Sequence, residues 1–310
     1  MKIPLIAIVG PTASGKTALS VDLSLRLNGE IVSCDSMQIY KDMHIASATP
    51  DEQEKKGVPH HLVEFLDRSE SFSVADYVNL AHQKIKQINE KGKQPILVGG
   101  TGLYFNSLVD NISFSEEKVD ESLRQSLETE FDKIGGEEML KKLAEFDKAA
   151  ADRLHPNNRK RIIRAFEVYI STGKTITQQQ IDSKAVPSPY KPYIIGLAFK
   201  DREILYKRIE KRVDLMIEKG LLEEAEKAYN SRDNKTAIQA IGHKEFFEFF
   251  EGKASLEEAV EKLKTETRHY AKRQQTWFGR DDRINWIYLD CTDDVQDEAI
   301  KILERSGYFE

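Results

Sequence analysis

The sequence has 310 residues, with 46 lysines and arginines, 52 aspartates and glutamates, and a formal net charge of −6. This length excludes a single small module and is typical of one large domain, or of a core with a smaller second domain. With 40% hydrophobic and 32% charged residues, the composition excludes a disordered or fibrous chain. The net acidity excludes a generally basic nucleic-acid coat but leaves room for a local basic groove.

Nothing in the sequence resembles a targeting signal or a membrane span. The apolar run at residues 3–9 is too short to cross a bilayer, and a glycine-rich stretch follows it directly. Two cysteines, Cys34 and Cys291, are too few for a disulfide framework or a four-ligand zinc site. We therefore expect a soluble cytoplasmic protein, with no membrane partner, in which both cysteines are buried thiols.

The first third of the chain alternates between strand and helix patterns. Short β-branched runs predict buried strands at Pro4–Val9, Glu30–Ser33 and Pro95–Val98. Helical patterns separate them at Lys16–Leu27 and Ser73–Lys91, and Ser73 is the expected N-cap of the second helix. This alternation is typical of a doubly wound α/β fold with a parallel sheet flanked by helices.

The middle of the chain shows a different pattern. From residue 112 to residue 190 we find charged amphipathic helices interrupted at Gly135-Gly136, Pro156 and Gly173. Strand patterns return at Tyr193–Phe199 and Trp286–Leu289, on either side of a helical block at residues 201–279. We therefore predict a helical insertion domain at 112–190 within a core formed by 1–111 and 191–310.

A phosphate-binding motif, G-x-x-x-x-G-K-[ST], stands between the first strand and the first helix, which is the context it requires. It consists of Gly10, Pro11, Thr12, Ala13, Ser14, Gly15, Lys16 and Thr17. The glycines let backbone N–H groups converge on phosphate oxygens, Lys16 adds a positive charge, and the Thr17 hydroxyl can bind Mg²⁺. The core therefore resembles the P-loop NTPase fold.

Nucleotide hydrolysis needs more than this loop. An ordinary ATPase or GTPase adds an apolar strand that ends in a Mg²⁺-binding aspartate. Asp35 and Asp290 both follow apolar runs, but we expect Asp290 to lie at the edge of the sheet and to cap a helix at Val295–Leu303. The third strand runs into Gly99 rather than an acidic residue. This incomplete pattern favours a reaction other than nucleotide hydrolysis.

Seven motifs follow one another along nearly the whole chain. They are GPTASGKT (10–17), DSMQIY (35–40), PHH (59–61), GGTGLY (99–104), NNRKR (157–161) with Arg164, QAIG (239–242) and RQQTWF (273–278). This ordered set resembles the signature of bacterial tRNA dimethylallyltransferases. The resemblance implies transfer of a dimethylallyl group from dimethylallyl diphosphate to the exocyclic amine of the adenine 3′ to the anticodon of tRNA, with release of diphosphate.

The resemblance also implies roles for particular residues. Lys16, Asp35 and Thr101 would be catalytic, with Asp35 taking the proton of the amine and Thr101 contacting the base. Diphosphate would be held by residues 10–17 with Mg²⁺ on Thr17, and Arg208 or Arg212 would complete the clamp or pair with nearby glutamates. The residues that would contact tRNA are Asp35, Ser36, Met37, Gln38, Thr101, Arg159, Lys160, Arg161, Arg164, Gln239 and Arg273.

Two basic clusters have alternative interpretations. Arg153, Arg159, Lys160, Arg161 and Arg164 form either a phosphate-binding stripe for the anticodon stem-loop or a solvated helix face. The second cluster surrounds Trp277, which either stacks on a base or anchors its helix in the core; it consists of Arg268, Lys272, Arg273 and Arg280.

Other functions fit parts of the sequence. A P-loop kinase of a nucleoside or small metabolite would also use the loop, an aspartate after the second strand and an arginine-rich lid. A non-enzymatic RNA-binding module would not need the intact Lys16-Thr17 pair. We expect a monomer, and a loop or packing role for His60 and His61 rather than metal binding.

Overall fold

The computed structural model describes residues 2–112, 120–231 and 237–309. The chain divides into two compact units, Met1–Val109 with Pro189–Glu310, and Asp110–Ser188. The boundaries predicted from the sequence lie two residues later at both junctions. Within the described ranges, no helix has the length and apolar composition needed to cross a membrane.

The first unit is built on one parallel sheet. Its strands are β1 (Ile3–Val9), β2 (Gly29–Ser33), β3 (His60–His61), β4 (Gln94–Gly99), β5 (Tyr190–Ala198) and β6 (Asn285–Tyr288). They lie in the order β3-β2-β4-β1-β5-β6. β1 is central, because Ile6 pairs with Ile96 of β4 on one side and with Tyr193 of β5 on the other. The predicted α/β fold is therefore confirmed.

The helices are numbered in chain order through both units. They are α1 (Lys16–Arg26), α2 (His44–Ser47), α3 (Glu52–Lys55), α4 (Val74–Glu90), α5 (Gly102–Val109), α6 (Glu121–Ala144), α7 (Lys148–Arg153), α8 (Arg159–Thr172), α9 (Ile176–Asp182), α10 (Arg202–Glu218), α11 (Leu221–Ser231), α12 (Phe247–Phe250), α13 (Leu256–Phe278) and α14 (Val295–Arg305). Helices α6 to α9 form the second unit, and the others belong to the first.

The central strand is apolar because both of its faces are covered. Leu5, Ile6 and Ile8 of β1 are fully buried, and the apolar side of α1 packs into the same core through Leu19 and Leu23. The predicted helix start before α4 is confirmed. Ser73 Oγ accepts from the backbone N–H of Asp76, whose carboxylate accepts from the N–H of Ser73.

The second unit has its own core. Helices α6 and α8 bring together buried residues that include Leu127, Met139 and Ile162. Helix α6 is kinked at Gly135, which has non-helical dihedral angles, and α8 ends at Gly173. The helix breaks predicted at these two glycines are thus confirmed.

Three predictions made from the sequence are wrong in detail. Of the loop or packing role expected for His60 and His61, the loop is wrong, because they form a short edge strand paired with Ile31 and Val32 of β2. Cys291 is exposed, whereas Cys34 is buried as expected.

The third error concerns the start of α14. Asp294 caps this helix, whereas Asp290 accepts hydrogen bonds from the backbone N–H groups of Lys200 and Asp201 just before α10. Asp290 therefore holds the start of α10 against the end of β6, which is an edge strand as predicted.

Candidate active site

A cavity of about 1270 Å³ opens in the first unit where β1, β2 and β4 end. Because the sheet is parallel and β1 lies between β4 and β5, the segments that leave these strands meet at one edge. The predicted site residues along its wall are Thr12, Ala13, Ser14, Gly15, Lys16, Thr17, Asp35, Ser36, Met37, Gln38, Arg208, Arg212 and Arg273. His60, which we left outside the predicted site, also lines this cavity.

The phosphate loop is held by contacts of its own backbone. Gly10 has φ of +141°, and a Cβ at this position would lie 2.4 Å from the carbonyl oxygen of Leu197 in β5, so only glycine fits. Ser14 Oγ and Lys16 Nζ donate hydrogen bonds of 2.8 and 2.7 Å to the carbonyl oxygen of Pro11. Helix α1 begins at this loop without a side-chain cap, which makes its first N–H groups available to an anion.

Three cationic side chains surround the loop. Burial of the Lys16 ammonium group and the charge of Arg212 lower the pKa of Lys16 to about 7, while Asp35 opposes the shift. Burial likewise lowers the pKa of Arg212. Arg208 Nε donates to the carbonyl oxygen of Ala13 (2.9 Å), which ties α10 to the loop. Crowded, partly desolvated cations of this kind favour a polyanionic ligand.

Asp35 and Thr101 lie close together at the ends of β2 and β4. Asp35 Oδ1 accepts a hydrogen bond from the backbone N–H of Met37 (2.9 Å), and Thr101 Oγ1 accepts one from the N–H of Ser36 (3.0 Å). The Thr101 N–H donates to the carbonyl oxygen of Cys34 (3.2 Å). These bonds orient the Asp35 carboxylate and hold the Thr101 hydroxyl against the next residue, Ser36, whereas Thr101 itself is not among the residues that line the cavity. Burial raises the pKa of the neighbouring Cys34 thiol to about 12, so it stays protonated.

Gln38 lines the cavity, and hydrogen bonds to nearby residues hold its carboxamide in place. Its Oε1 accepts from Ser33 Oγ (2.8 Å), and its Nε2 donates to the carbonyl oxygens of Ser47 and Ala48 at 3.4 and 3.3 Å. The carboxamide therefore holds the end of α2 against β2. The predicted tRNA contact of Gln239 concerns a side chain that lies outside the described residues.

One face of α13 forms a further wall of the cavity. Its lining residues follow helical spacing at Thr267, Tyr270, Arg273 and Gln274. The Arg273 guanidinium lies 5.8 Å from the ring centre of Tyr270, and burial raises the pKa of the Tyr270 hydroxyl. Tyr270 and Gln274 were not predicted as site residues. Tyr270 lies three residues from both Thr267 and Arg273, and Gln274 lies four residues after Tyr270, so helical spacing is the signal that could have found them.

Trp277 anchors its helix. Its indole Nε1 donates to Asn106 Oδ1 of α5 (3.1 Å), and its ring fills the space beside Gly102. Arg268 pairs with Glu210 of α10 (2.8 Å), so this member of the second basic cluster joins two helices of the core. With 38% of its surface exposed, Trp277 contacts α5 without being buried in the core, and stacking on a base remains an untested prediction.

Two of the five cations in the basic stretch of the second unit form ion pairs within that unit, and a third donates hydrogen bonds to neutral side chains. Arg159 pairs with Asp132 (2.9 Å) and Arg164 with Glu167 (3.4 Å). Arg153 donates to Thr177 and Gln180, which also belong to this unit. By contrast, Lys160 and Arg161 are exposed, and their side chains form no hydrogen bond or ion pair in the described part of the chain. These two cations remain available to an external anion.

The fold and the cavity define an α/β protein with a phosphate loop and a facing carboxylate. Comparisons with known proteins identify one family. The family model for IPP transferase matches residues 38–281. The tRNA dimethylallyltransferases of Halalkalibacterium halodurans and Bacillus subtilis are 47% and 46% identical over 302 residues, which cover 97% of this chain and 95% of each relative. This chain belongs to the IPP transferase family, and the resemblance noted in the sequence is confirmed.

Solved structures agree with this membership. The full-length tRNA isopentenylpyrophosphate transferase of Bacillus halodurans matches with a TM-score of 0.72 and 43% identity, over 99% of this chain and 96% of that one. A eukaryotic dimethylallyltransferase acting on tRNA matches with a TM-score of 0.83 and 30% identity, over 99% of this chain and 79% of that one.

The lowered pKa of Lys16 predicts that anion binding is coupled to proton uptake. A bound polyanion favours the charged ammonium group and raises its pKa from about 7. Inorganic diphosphate should therefore bind at pH 8 with uptake of about one proton, and its affinity should fall as the pH rises above 7. Calorimetry in two buffers of different ionisation enthalpy measures this uptake.

Two variants control for protons exchanged by diphosphate itself and for other lysines. Lys16→Met should lose the uptake, whereas Lys211→Met, an exposed lysine on the same cavity wall, should keep it. Equal proton uptake by wild type and Lys16→Met would contradict the assignment of the proton to Lys16.

Proposed function

We propose that the protein transfers a dimethylallyl group from dimethylallyl diphosphate to the exocyclic amine of the adenine 3′ to the anticodon of tRNA. The observation that carries this proposal is the meeting of a phosphate loop and the Asp35 carboxylate at one cavity, in a chain of the IPP transferase family. We further propose that it acts as a monomer in the cytoplasm, where its tRNA substrate is found.

The diphosphate is the leaving group in this reaction. When the C–O bond of the allylic diphosphate breaks, the bonding electron pair stays on the diphosphate oxygen, and the added charge needs stabilisation. Lys16, Arg212 and the start of α1 line one cavity, which supports assigning them to stabilise this charge. Arg208 holds the loop through Ala13 and brings a third positive charge to the same wall.

The site also suits a divalent cation shared with the substrate. Thr17 lines the cavity, and none of the described hydrogen bonds uses its hydroxyl. Within the described residues, no three histidine, cysteine or acidic side chains are grouped to bind a metal. Mg²⁺ typically keeps several waters and binds substrate phosphates with few protein ligands. We propose Thr17 as its protein ligand, where it would neutralise charge on the diphosphate.

Asp35 completes the chemistry as the proton acceptor. The adenine amine attacks the allylic carbon and forms the new C–N bond as the C–O bond breaks, and the amine proton passes to the Asp35 carboxylate. One Asp35 oxygen already accepts from Met37 N–H, which orients the carboxylate. Thr101, beside it, contacts the base. A stacked adenine must leave its neighbours to enter this cavity, at a cost of roughly a few kcal/mol.

Wild-type protein, unmodified bulk tRNA, Mg²⁺ and labelled dimethylallyl diphosphate test the proposal. Nucleoside analysis of the tRNA should find N6-isopentenyladenosine. The solution should contain an equimolar amount of released diphosphate. A parallel reaction with ATP and a mixture of nucleosides tests the kinase alternative, which membership of the IPP transferase family does not favour. Phosphorylated nucleosides without isopentenylated tRNA would overturn the proposal.

Asp35→Asn should slow the chemical step without weakening substrate binding. Asparagine keeps the size of the side chain and can accept the Met37 hydrogen bond, but it cannot take a proton. Single-turnover prenyl transfer should fall roughly 10²- to 10⁴-fold, the usual effect of a positioned general base. Affinities for tRNA and dimethylallyl diphosphate should stay within about threefold. A loss confined to tRNA affinity would instead make Asp35 a base-reading residue.

Lys160 and Arg161 are the cations of the second unit that we propose to bind tRNA phosphates. Replacing both by Ala should lower tRNA affinity and reduce the slope of log K against log salt by about 2. Lys141→Ala with Lys142→Ala is the matched control, because these exposed lysines pair with Glu138 and Glu130 and the charge change is the same. Equal salt slopes for the two double variants would contradict the assignment.

A further inference from the structure

We infer that Gln274 is a positioning residue for the transfer reaction: its carboxamide holds the phosphate loop and the turn after β4 at a fixed separation. The inference rests on the proposed function and adds a residue that the chemistry described above does not use. Gln274 lies in α13 and is buried, with 5% of its surface exposed.

Both ends of the Gln274 carboxamide are bound to backbone. Oε1 accepts a hydrogen bond from the N–H of Thr12 in the phosphate loop (2.8 Å). Nε2 donates to the carbonyl oxygen of Gly100 after β4 (3.0 Å). The two loops lie on adjacent strands of the sheet, and one side chain bridges the gap between them. With its oxygen and nitrogen both engaged, Gln274 acts on the loops rather than on the reacting atoms.

The bridge has little freedom to move. A Cβ at position 100 would lie 2.0 Å from Gln274 Nε2, so the glycine is needed to let the carboxamide reach the turn. The helix is fixed nearby as well. Phe278 is buried against Phe105 of α5, and Ala271 is fully buried. The carboxamide therefore projects from a rigid support.

The two loops carry the two halves of the reaction. Thr12 follows Pro11, whose carbonyl oxygen accepts from Lys16, so this loop sets the place of the diphosphate. Gly100 precedes Thr101, whose hydroxyl holds the Ser36 N–H next to the proposed base. Reaction requires the amine and the allylic carbon to approach within a few tenths of an ångström of their productive distance. A misplacement of about 1 Å can cost about 10²-fold in rate.

Two substitutions and a control test this role. Gln274→Met keeps the size of the side chain and loses both hydrogen bonds. Gln274→Glu keeps the acceptor for Thr12 but presents an oxygen to the Gly100 carbonyl. Gln275→Glu, at the next position, makes the same change in charge. The Gln275 side chain is half-buried and forms no hydrogen bond within the described residues. Melting temperatures identify any variant that does not fold.

The informative measurement is single-turnover transfer at saturating tRNA and dimethylallyl diphosphate. Both Gln274 variants should be slowed about 10²-fold with substrate affinities within about threefold of wild type, and Gln275→Glu should match wild type. As the pH falls from 8 to 6, the ratio of the Gln274→Glu rate to the wild-type rate should rise. The reason is that a protonated carboxyl group can donate to Gly100, and burial raises its pKa. The Gln274→Met ratio should stay constant.

A purely structural glutamine would lower the melting temperature and leave the saturated rate unchanged. Saturated rates of both folded variants within threefold of wild type would therefore overturn the inference, as would a loss of diphosphate affinity alone. If Gln274→Glu does not fold, the Gln274→Met rate decides by the same criterion. Absence of transfer by wild-type protein would instead reject the proposed function, so that reaction is measured first.

Discussion

The position of β1 in the sheet is the constraint on which the site depends. Because β1 hydrogen-bonds to β4 on one side and to β5 on the other, the chain must leave it at the middle of the sheet edge. The same pairing brings Gly10 against the Leu197 carbonyl oxygen, a contact that only glycine permits. The phosphate loop is thus placed by strand pairing, and the ends of β2 and β4 bring Asp35 and Thr101 beside it in the same parallel register.

This arrangement places like charges close together at the phosphate loop. Buried Glu30, by comparison, accepts hydrogen bonds from Lys93 and His61, which outweigh its burial and lower its pKa to about 2. At the phosphate loop, by contrast, burial and the charge of Arg212 lower the pKa of Lys16, and burial lowers the pKa of Arg212. Local conflict of this kind is expected at functional sites, and here it is relieved by a polyanion.

The features that could be predicted from the sequence are those that a single short segment determines. The phosphate loop is contiguous, and β-branched runs between turns marked five strands to within three residues at either end. β3 was missed because two histidines carry no periodicity, and the strand exists only through pairing with Ile31 and Val32. Helical spacing can place Gln274 on the cavity face of α13, but its bridging role could not be predicted, for a similar reason. Its partner Thr12 lies 262 residues away, and no local pattern reports such a contact.

The basic residues of the second unit show the same limit of prediction from sequence. A sequence counts cations, whereas recognition of a phosphate backbone depends on the cations that remain unpaired. Five basic residues fall within twelve positions of the second unit, yet Arg159 and Arg164 are engaged by Asp132 and Glu167. Glu167 is itself buried and also accepts from Arg124, so Arg159 and Arg124 help to hold α6 against α8. The same arginine-rich segment therefore builds the unit with some of its charges and exposes others on its surface.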